Sequence, residues 1–385
     1  MYSRSDQPVA RNHRRFVALS ILTFGVAMVA AQIRVTVAES VSSFKVANLI
    51  GSAGSGGKKK DPKTINAWGV AFISGQPFWI NDEGTGVSEL IGGKGKIFKS
   101  LPFVTVPGAT GGTGKPTGIV ANVTGEFPLP SGPTATFIFD TEDGTIAGWN
   151  SGTTATTIVN NSGAAAYTGL AIANNGSANL LYAANHKAPG SIDVFDSSFN
   201  PTTTSGGFSD PSLPTGLTPY NITNLDGNLF VAYSEGTTAV GQVDEFNPDG
   251  TLIMSFTDAS LNEPWGLTLA PSHFGSFSND LLVGNLGDGS ISVFNPTNGE
   301  FLGQLADKDS SRLLIPGLWA LLDGTGAMDA HSDAVYFTAG PSGYTEGLFG
   351  TIEAGPGAKP SKTPKPSNSP TPTRTPKATP TPYMY

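Results

Sequence analysis

EPWGLTLAPSHFGSFSNDLLVGNLGDGSISVFNPTNGEFLGQL, residues 263–305, holds four short apolar runs separated by polar turns. The runs are EPWGLTL (263–269), LLVGN (281–285), GSISVFN (289–295) and FLGQL (301–305). Short runs of alternating character that stop at Gly, Asp or Asn read as strands. Asp288-Gly289 marks a tight turn, because glycine accepts positive φ cheaply and aspartate caps its own backbone. Phe294, which ends the third run, is expected to pack between sheets. One such sheet cannot bury both faces alone, so further copies are expected.

Working outward, the same order recurs. The opening strand appears as NAWGVAF (66–72), KPTGIVA (115–121), AYTGLAI (166–172), TPYNIT (218–223), EPWGLTL (263–269) and GLWALL (317–322). Aligned on Gly69, Gly118, Gly169, Asn221, Gly266 and Ala320, the intervals are 49, 51, 52, 45 and 54 residues. Each opening is followed by a second strand, such as PFWIND (77–82) or TFIFD (136–140). A third follows a glycine turn, as in DTEDGTIAGWN (140–150). Outer strands can be drawn at FVTV (103–106), TTIV (156–159), TLIMSF (251–256) and FLGQL (301–305). Repetition near 50 residues with about four strands per unit predicts an all-β, six-bladed β-propeller over residues 44–353. The sixth unit lacks an outer strand, and FKVANLI (44–50) has no blade of its own. That N-terminal strand is expected to complete the last blade and close the ring, which protects sheet edges.

The ends read differently. Arg11, Arg14 and Arg15 precede the apolar run FVALSILTFGVAMVAA (16–31), with small residues at Ala31 and Ala38. This is the pattern of a secretory signal over residues 1–38, cleaved after Ala31 or Ala38. The alternative is an uncleaved anchor, although the run is short for spanning roughly 30 Å of hydrocarbon. Residues 354–385 are rich in Pro and Thr with scattered Lys and Arg, and are expected to form an extended tail. The tail suits a wall spacer, a glycosylated stalk or an inert extension. The expected location is secreted or in the cell envelope, with no stable membrane span after cleavage.

Composition narrows the function. There is no cysteine, which excludes disulfides, thiolate metal sites and Cys nucleophiles. Residues 40–353 carry 12 Lys/Arg against 28 Asp/Glu, and nine of those basic residues precede position 116. Such a surface repels phosphate backbones, so nucleic acid is not an expected partner. GGTGKP (111–116) has Ala109 where a phosphate loop needs Gly and Pro116 where it needs Ser or Thr. His186, His273 and His331 are scattered, and no Gly-x-Ser-x-Gly elbow occurs.

The units EPWGLTLA…LLVGNLGDGSISVFNPTNG and YTGLAIA…LLYAANHKAPGSIDVFD resemble NHL-type repeats. The ordered motifs INAWGVAF, PFWINDEGTGVSELI and YFTAGPSG…GLFGTI extend the likeness over about residues 44–352. Together they look like an uncharacterised family of secreted bacterial propellers, some members of which carry PEP-CTERM sorting tails. The resemblance implies a six-bladed fold and export, and no established activity. The Thr/Pro ending of this chain departs from a Pro-Glu-Pro signal with an apolar helix.

A propeller binds at the mouth where innermost strands begin. Here those strands begin with Trp68, Thr117, Thr168, Tyr220, Trp265 and Trp319. Trp68, Tyr220, Trp265 and Trp319 are the candidate ligand-binding residues, since flat aromatic faces stack on sugar rings and other partly apolar ligands. Asp82, Asp140, Asn185 and Asn285, at equivalent strand ends, are candidate Ca²⁺ ligands through hard oxygen donors. The competing view is that Asp and Asn cap turns while Trp fills gaps between blades. Three functions are therefore carried: an exported binding or scaffold module, a Ca²⁺-dependent hydrolase or lactonase of the six-bladed type, and a structural cell-surface protein. The first needs no catalytic group, and its partner would be an extracellular small molecule, glycan or protein. A monomer is expected.

Overall fold

In a computed structural model of the chain, residues 42–236 and 240–355 are described. The signal region and the tail, as read from sequence, lie outside them. The regular structure of the described residues is antiparallel sheet, apart from one two-residue parallel pairing and one short 3₁₀ turn at Gly275–Phe277. Blade 1 contains Ala67–Ala71, Phe78–Asp82 and Val87–Gly92 from the centre outward. Blade 2 contains Pro116–Ala121, Phe137–Thr141, Thr145–Trp149 and Thr156–Asn160. Blade 3 runs Tyr167–Asn174, Asn179–Asn185, Ser191–Phe195 and Pro201–Thr202. Blade 4 is Thr218–Leu225, Asn228–Ser234, Gly241–Phe246 and Leu252–Phe256. Blade 5 is Pro264–Leu269, Leu281–Asn285, Ile291–Phe294 and Phe301–Gln304. Blade 6 supplies Leu318–Asp323, Ala334–Ala339 and Leu348–Ala354. Each innermost strand touches the next, and the sixth touches the first. The fold is a six-bladed β-propeller.

The ring closes as expected. Phe44–Gly51 pairs antiparallel with Leu348–Ala354, from Phe44 opposite Ala354 to Gly51 opposite Leu348. The expected outer run of blade 1 is found as Phe103–Thr105, and two outer edges are irregular. In blade 1 the outer edge is broken into Lys96–Ile97 and Phe103–Thr105, both paired with Val87–Gly92. In blade 3 it shrinks to Pro201–Thr202, where a proline cannot donate to a ladder.

Two-residue alternation explains why every blade needs two neighbours. In blade 2, Phe137 and Phe139 pack on Trp79 and Leu90 of blade 1, while Ile138 and Ile146 pack on Tyr167 and Leu181 of blade 3. Burying one such side chain contributes roughly 1.5–3 kcal/mol. The aromatic ends of third strands do pack between sheets: Trp149 lies 4.7 Å from Trp79, and Phe294 lies 5.9 Å from Phe256.

The repeated Asp-Gly is a turn with a steric reason. Gly144 and Gly289 have φ of 80° and 75°. A Cβ on Gly144 would lie 2.6 Å from the Ala165 carbonyl, and one on Gly289 would lie 2.4 Å from that of Ile315. The turn therefore presses against the chain entering the next blade, and only glycine fits.

Candidate functional site

The four aromatic candidates meet on the axis. Trp68, Tyr220, Trp265 and Trp319 form one buried cluster with Leu286 and Ala320, none of the four more than 9% exposed. Trp68 and Trp319 stack with ring centres 3.6 Å apart, and Trp265 sits edge-on to both at 6.3 and 5.8 Å. Tyr220 meets Trp319 edge-on at 6.0 Å. Two indole N–H groups lock the cluster across the ring. Trp265 Nε1 donates to the Thr168 carbonyl of blade 3 at 2.9 Å, and Trp319 Nε1 donates to Asn66 Oδ1 at 2.8 Å. The Trp68 indole N–H is buried with no hydrogen-bond partner among the described residues. An unmet buried donor is costly.

Above this floor lies a residue that the strand-start pattern did not single out. Tyr344 is 45% exposed, and its ring lies 5.7 Å from that of Trp319. Its loop joins the second and third strands of blade 6, and nothing in its immediate sequence distinguishes it from a turn tyrosine. Four mouth residues that are not glycine hold left-handed backbone: Asn66 at φ 49°, Glu263 at 51°, Ser342 at 57° and Tyr344 at 69°. Such conformations cost about 1–3 kcal/mol each and persist only where the surroundings impose them.

Charge surrounds the floor. Asn66 Nδ2 donates to Glu83 at 3.0 Å, and Lys115 Nζ bridges Glu83 and Glu142 at 3.1 and 3.4 Å. A polar chain thus runs from Trp319 through Asn66 to the rim. Burial raises the Glu142 carboxyl despite the opposing charge of Lys115, and burial also raises that of Glu263. The Tyr220 phenol is raised by burial first and then by Tyr344, Glu263 and Glu142. His186 lies beside Tyr220, ring centres 4.4 Å apart, with Nδ1 2.8 Å from the Thr218 hydroxyl. Burial lowers its imidazole, so it stays neutral near pH 7.

Below the aromatic cluster a cavity of about 320 Å³ follows the axis, lined by all six innermost strands. Exposure grows along them away from the indoles, from buried Gly69 and Gly118 to half-buried Phe72 and Ala121. The tryptophans therefore close the axial channel at the end where a mouth was expected, and the channel widens toward the other face.

The four metal candidates are not brought together. Asp82 faces Glu89, whose carboxylate accepts from the Thr64 hydroxyl at 2.7 Å. Asp140 Oδ1 accepts from the Thr117 hydroxyl at 2.8 Å and from the Gly118 N–H. Asn185 Oδ1 accepts from the N–H groups of Ala166 and Lys187 at 3.1 and 3.2 Å. Asn285 Oδ1 accepts from the Asn262 N–H at 3.0 Å, and its amide reaches the Ser290 and Ser292 hydroxyls at 3.1 Å each. No two of the four share a partner. Among the described residues no group of three or more His, Asp or Glu side chains is placed to hold a metal ion.

These bonds show what the polar strand ends do. Asn81 donates to the Thr117 and Gly118 carbonyls of the next blade, Asn221 to the Trp265 carbonyl at 2.7 Å, and the Thr338 hydroxyl to the Trp68 carbonyl. They clamp each of these blades to the innermost strand of the next. A Cβ on Gly69 would lie 2.2 Å from the Thr117 carbonyl, and one on Gly266 would lie 2.5 Å from that of Trp319, which is why Gly recurs at this place in four of the six openings.

Two uncharacterised proteins of Acanthamoeba polyphaga mimivirus are similar along most of the chain. One is 30% identical over 342 residues, 81% of this chain and 81% of the viral protein. The other is 30% identical over 344 residues, 81% of this chain and 86% of its own length. The chain belongs to their family. No family model matches it. Among solved structures, a protein of unknown function from Bacteroides thetaiotaomicron superposes with a TM-score of 0.50 at 13% identity, covering 81% of this chain and 76% of its own. A streptogramin B lyase superposes with a TM-score of 0.46 at 12% identity, covering 83% of this chain and 99% of its own. The bacterial structure supports the fold alone. Family membership brings no activity, because both viral relatives are uncharacterised.

Proposed function

We propose that this propeller is an exported binding module that holds its ligand on Tyr344, backed by the indole floor beneath it, inside the acidic rim. The observation that carries the reading is the half-exposed Tyr344 ring over Trp319 at the axis, held on left-handed backbone. An aromatic platform ringed by Glu83, Glu142 and Glu263 favours a neutral or cationic ligand with a flat apolar face, such as a glycan ring or a quaternary ammonium. Trp68, Tyr220, Trp265 and Trp319 then act as the rigid floor, with Tyr344 as the contacting ring. The arrangement needs no catalytic group.

The calcium-dependent hydrolase is the weaker reading, since Asp140, Asn185 and Asn285 would have to leave separate structural bonds, and Asp82 its place beside Glu89, to reach one ion. The test is a titration of the secreted chain with oligosaccharide and choline-type ligands, followed by tryptophan fluorescence. Tyr344→Ala should weaken any binding at least tenfold with unchanged unfolding temperature. Binding that survives both Tyr344→Ala and Glu263→Gln would refute the assignment. Export is tested separately, by fusing residues 1–38 to a periplasmic reporter; no secreted activity would sink that part.

A further inference from the structure

Half of the basic residues between positions 40 and 353 lie on two segments that ring closure brings together, and four of them line one depression. Lys58, Lys59 and Lys60 follow the closing strand, and Lys59–Lys60 pairs parallel with Ile50–Gly51. Lys94, Lys96 and Lys99 come from the outer edge of blade 1. Ring closure sets the two segments side by side: Lys59 Nζ donates to the Lys94 carbonyl at 2.8 Å, and a Cβ on Gly95 would lie 3.0 Å from the Leu49 Cβ. Between them is an open depression of about 610 Å³ lined by Lys59, Lys60, Lys96 and Lys99 over Ile50, Ile97 and Pro102.

All six ammonium groups belong to exposed residues, and none forms a salt bridge among the described residues. Neighbouring carboxylates form no ion pair with these lysines among the described residues. Asp61 accepts from the Lys63 N–H, while Asp329 and Asp333 border a separate depression with Lys94. Clustering like charges without counterions costs free energy, so this arrangement runs against stability. The sequence outside the described residues is mainly basic. Residues 1–41 hold five arginines against two acidic residues, and residues 356–385 hold five basic residues and no acid.

We infer that this lysine-lined depression at the ring closure is a docking surface for a flexible acidic glycan, sulfated or uronate-bearing. Lysine is a point charge that reads anion density without a fixed fork, and its stems lie along the apolar floor. The depression has no arginine and no aromatic ring in its lining, so it lacks the stacking faces on which unpaired bases are held. Beyond the six lysines, residues 40–353 carry 6 Lys/Arg against 28 Asp/Glu, so a long stiff polyanion is repelled away from the patch. A flexible chain that contacts the patch alone avoids that penalty. This inference is independent of the mouth.

The experiment measures heparin and dextran sulfate binding by the full secreted chain at several salt concentrations. With about four charges neutralised, affinity should fall roughly 50-fold between 50 and 200 mM salt. Lys59→Glu/Lys96→Glu should abolish binding with an unfolding temperature within about two degrees of wild type, and Lys308→Glu, on another face, should leave it unchanged. No binding at 50 mM salt would overturn the proposal. So would equal loss in Lys308→Glu, an unstructured oligonucleotide binding as tightly as the glycans, or light scattering showing that the patch instead joins two copies.

Discussion

Glu89→Gln should change how the stability of the propeller depends on pH, in a direction opposite to that of most carboxylates. Glu89 and Asp82 lie between blades 1 and 6 and are 1% and 0% exposed. As two carboxylates they would leave both Asp82 oxygens without a donor. A proton on Asp82 turns that conflict into a hydrogen bond to Glu89. Burial first, and then the charge of Glu89, raise Asp82 well above the ordinary aspartate range, while burial raises Glu89 to about 7. For an acid whose folded pKa exceeds its unfolded value, the folded state binds the proton more tightly. Its contribution is then full below the unfolded value near 4.5 and is lost as pH climbs to about 7. For Glu89 alone that loss is roughly 3 kcal/mol between pH 4.5 and 8. Asp140, raised to about 7, and Asp244 and Asp280, raised to about 6, act with the same sign. Denaturant unfolding at pH 5, 6, 7 and 8 should therefore show wild type losing stability toward pH 8. Glu89→Gln should lose less, by a few kcal/mol, and the Asp82→Asn/Glu89→Gln pair should lose least. Parallel curves for the three proteins, or a wild type that gains stability from pH 5 to 8, would refute the reasoning.

Other expectations follow from named contacts. Phe44→Ala, which empties the space beside Phe274 and Phe277 at 4.9 and 5.9 Å, should cost about 3–5 kcal/mol in denaturant unfolding. Trp319→Phe should cost about 1–3 kcal/mol by stranding Asn66 Oδ1, and Trp319→Ala distinctly more by opening the axial floor, both read from unfolding midpoints. Asp140→Ala should cost about 1–3 kcal/mol, because the Thr117 hydroxyl and Gly118 N–H lose their acceptor. Millimolar Ca²⁺ after EDTA should leave the unfolding temperature unchanged in scanning calorimetry. A rise of several degrees, lost in Asp140→Asn/Asn285→Ala, would restore the metal reading.

Much of the architecture was readable because its signals are local. Alternation, Asp-Gly turns and openings of an aromatic or Thr before a small residue each span a few residues, and their recurrence near 50 residues counts the blades. The closing role of FKVANLI followed from a missing strand at one end and a spare one at the other. The break in the outer edge of blade 1 was not readable, because exposed outer strands carry little apolar pattern. Among site residues, the strand-start aromatics were readable as a set, while the ring contact of Tyr344 with Trp319 was not, since it arises only when blade 6 meets the axis.

The sequence by itself determined the repeat, the strand count per blade, the closure and the acidic surface, all of which follow from patterns along a single chain. Only the tertiary structure decided which way polar strand ends face. Asp82 and Asp140 end second strands in adjacent blades, yet Asp82 turns back toward blade 6 with Glu89, while Asp140 holds Thr117 and Gly118 on the side of blade 3. A single residue of offset along a strand reverses its facing, and that offset is set by pairing rather than by composition. The lysine depression has the same origin. Residues 58–60 and 94–99 are some 35 positions apart in the chain and become one charged surface only when the ring closes.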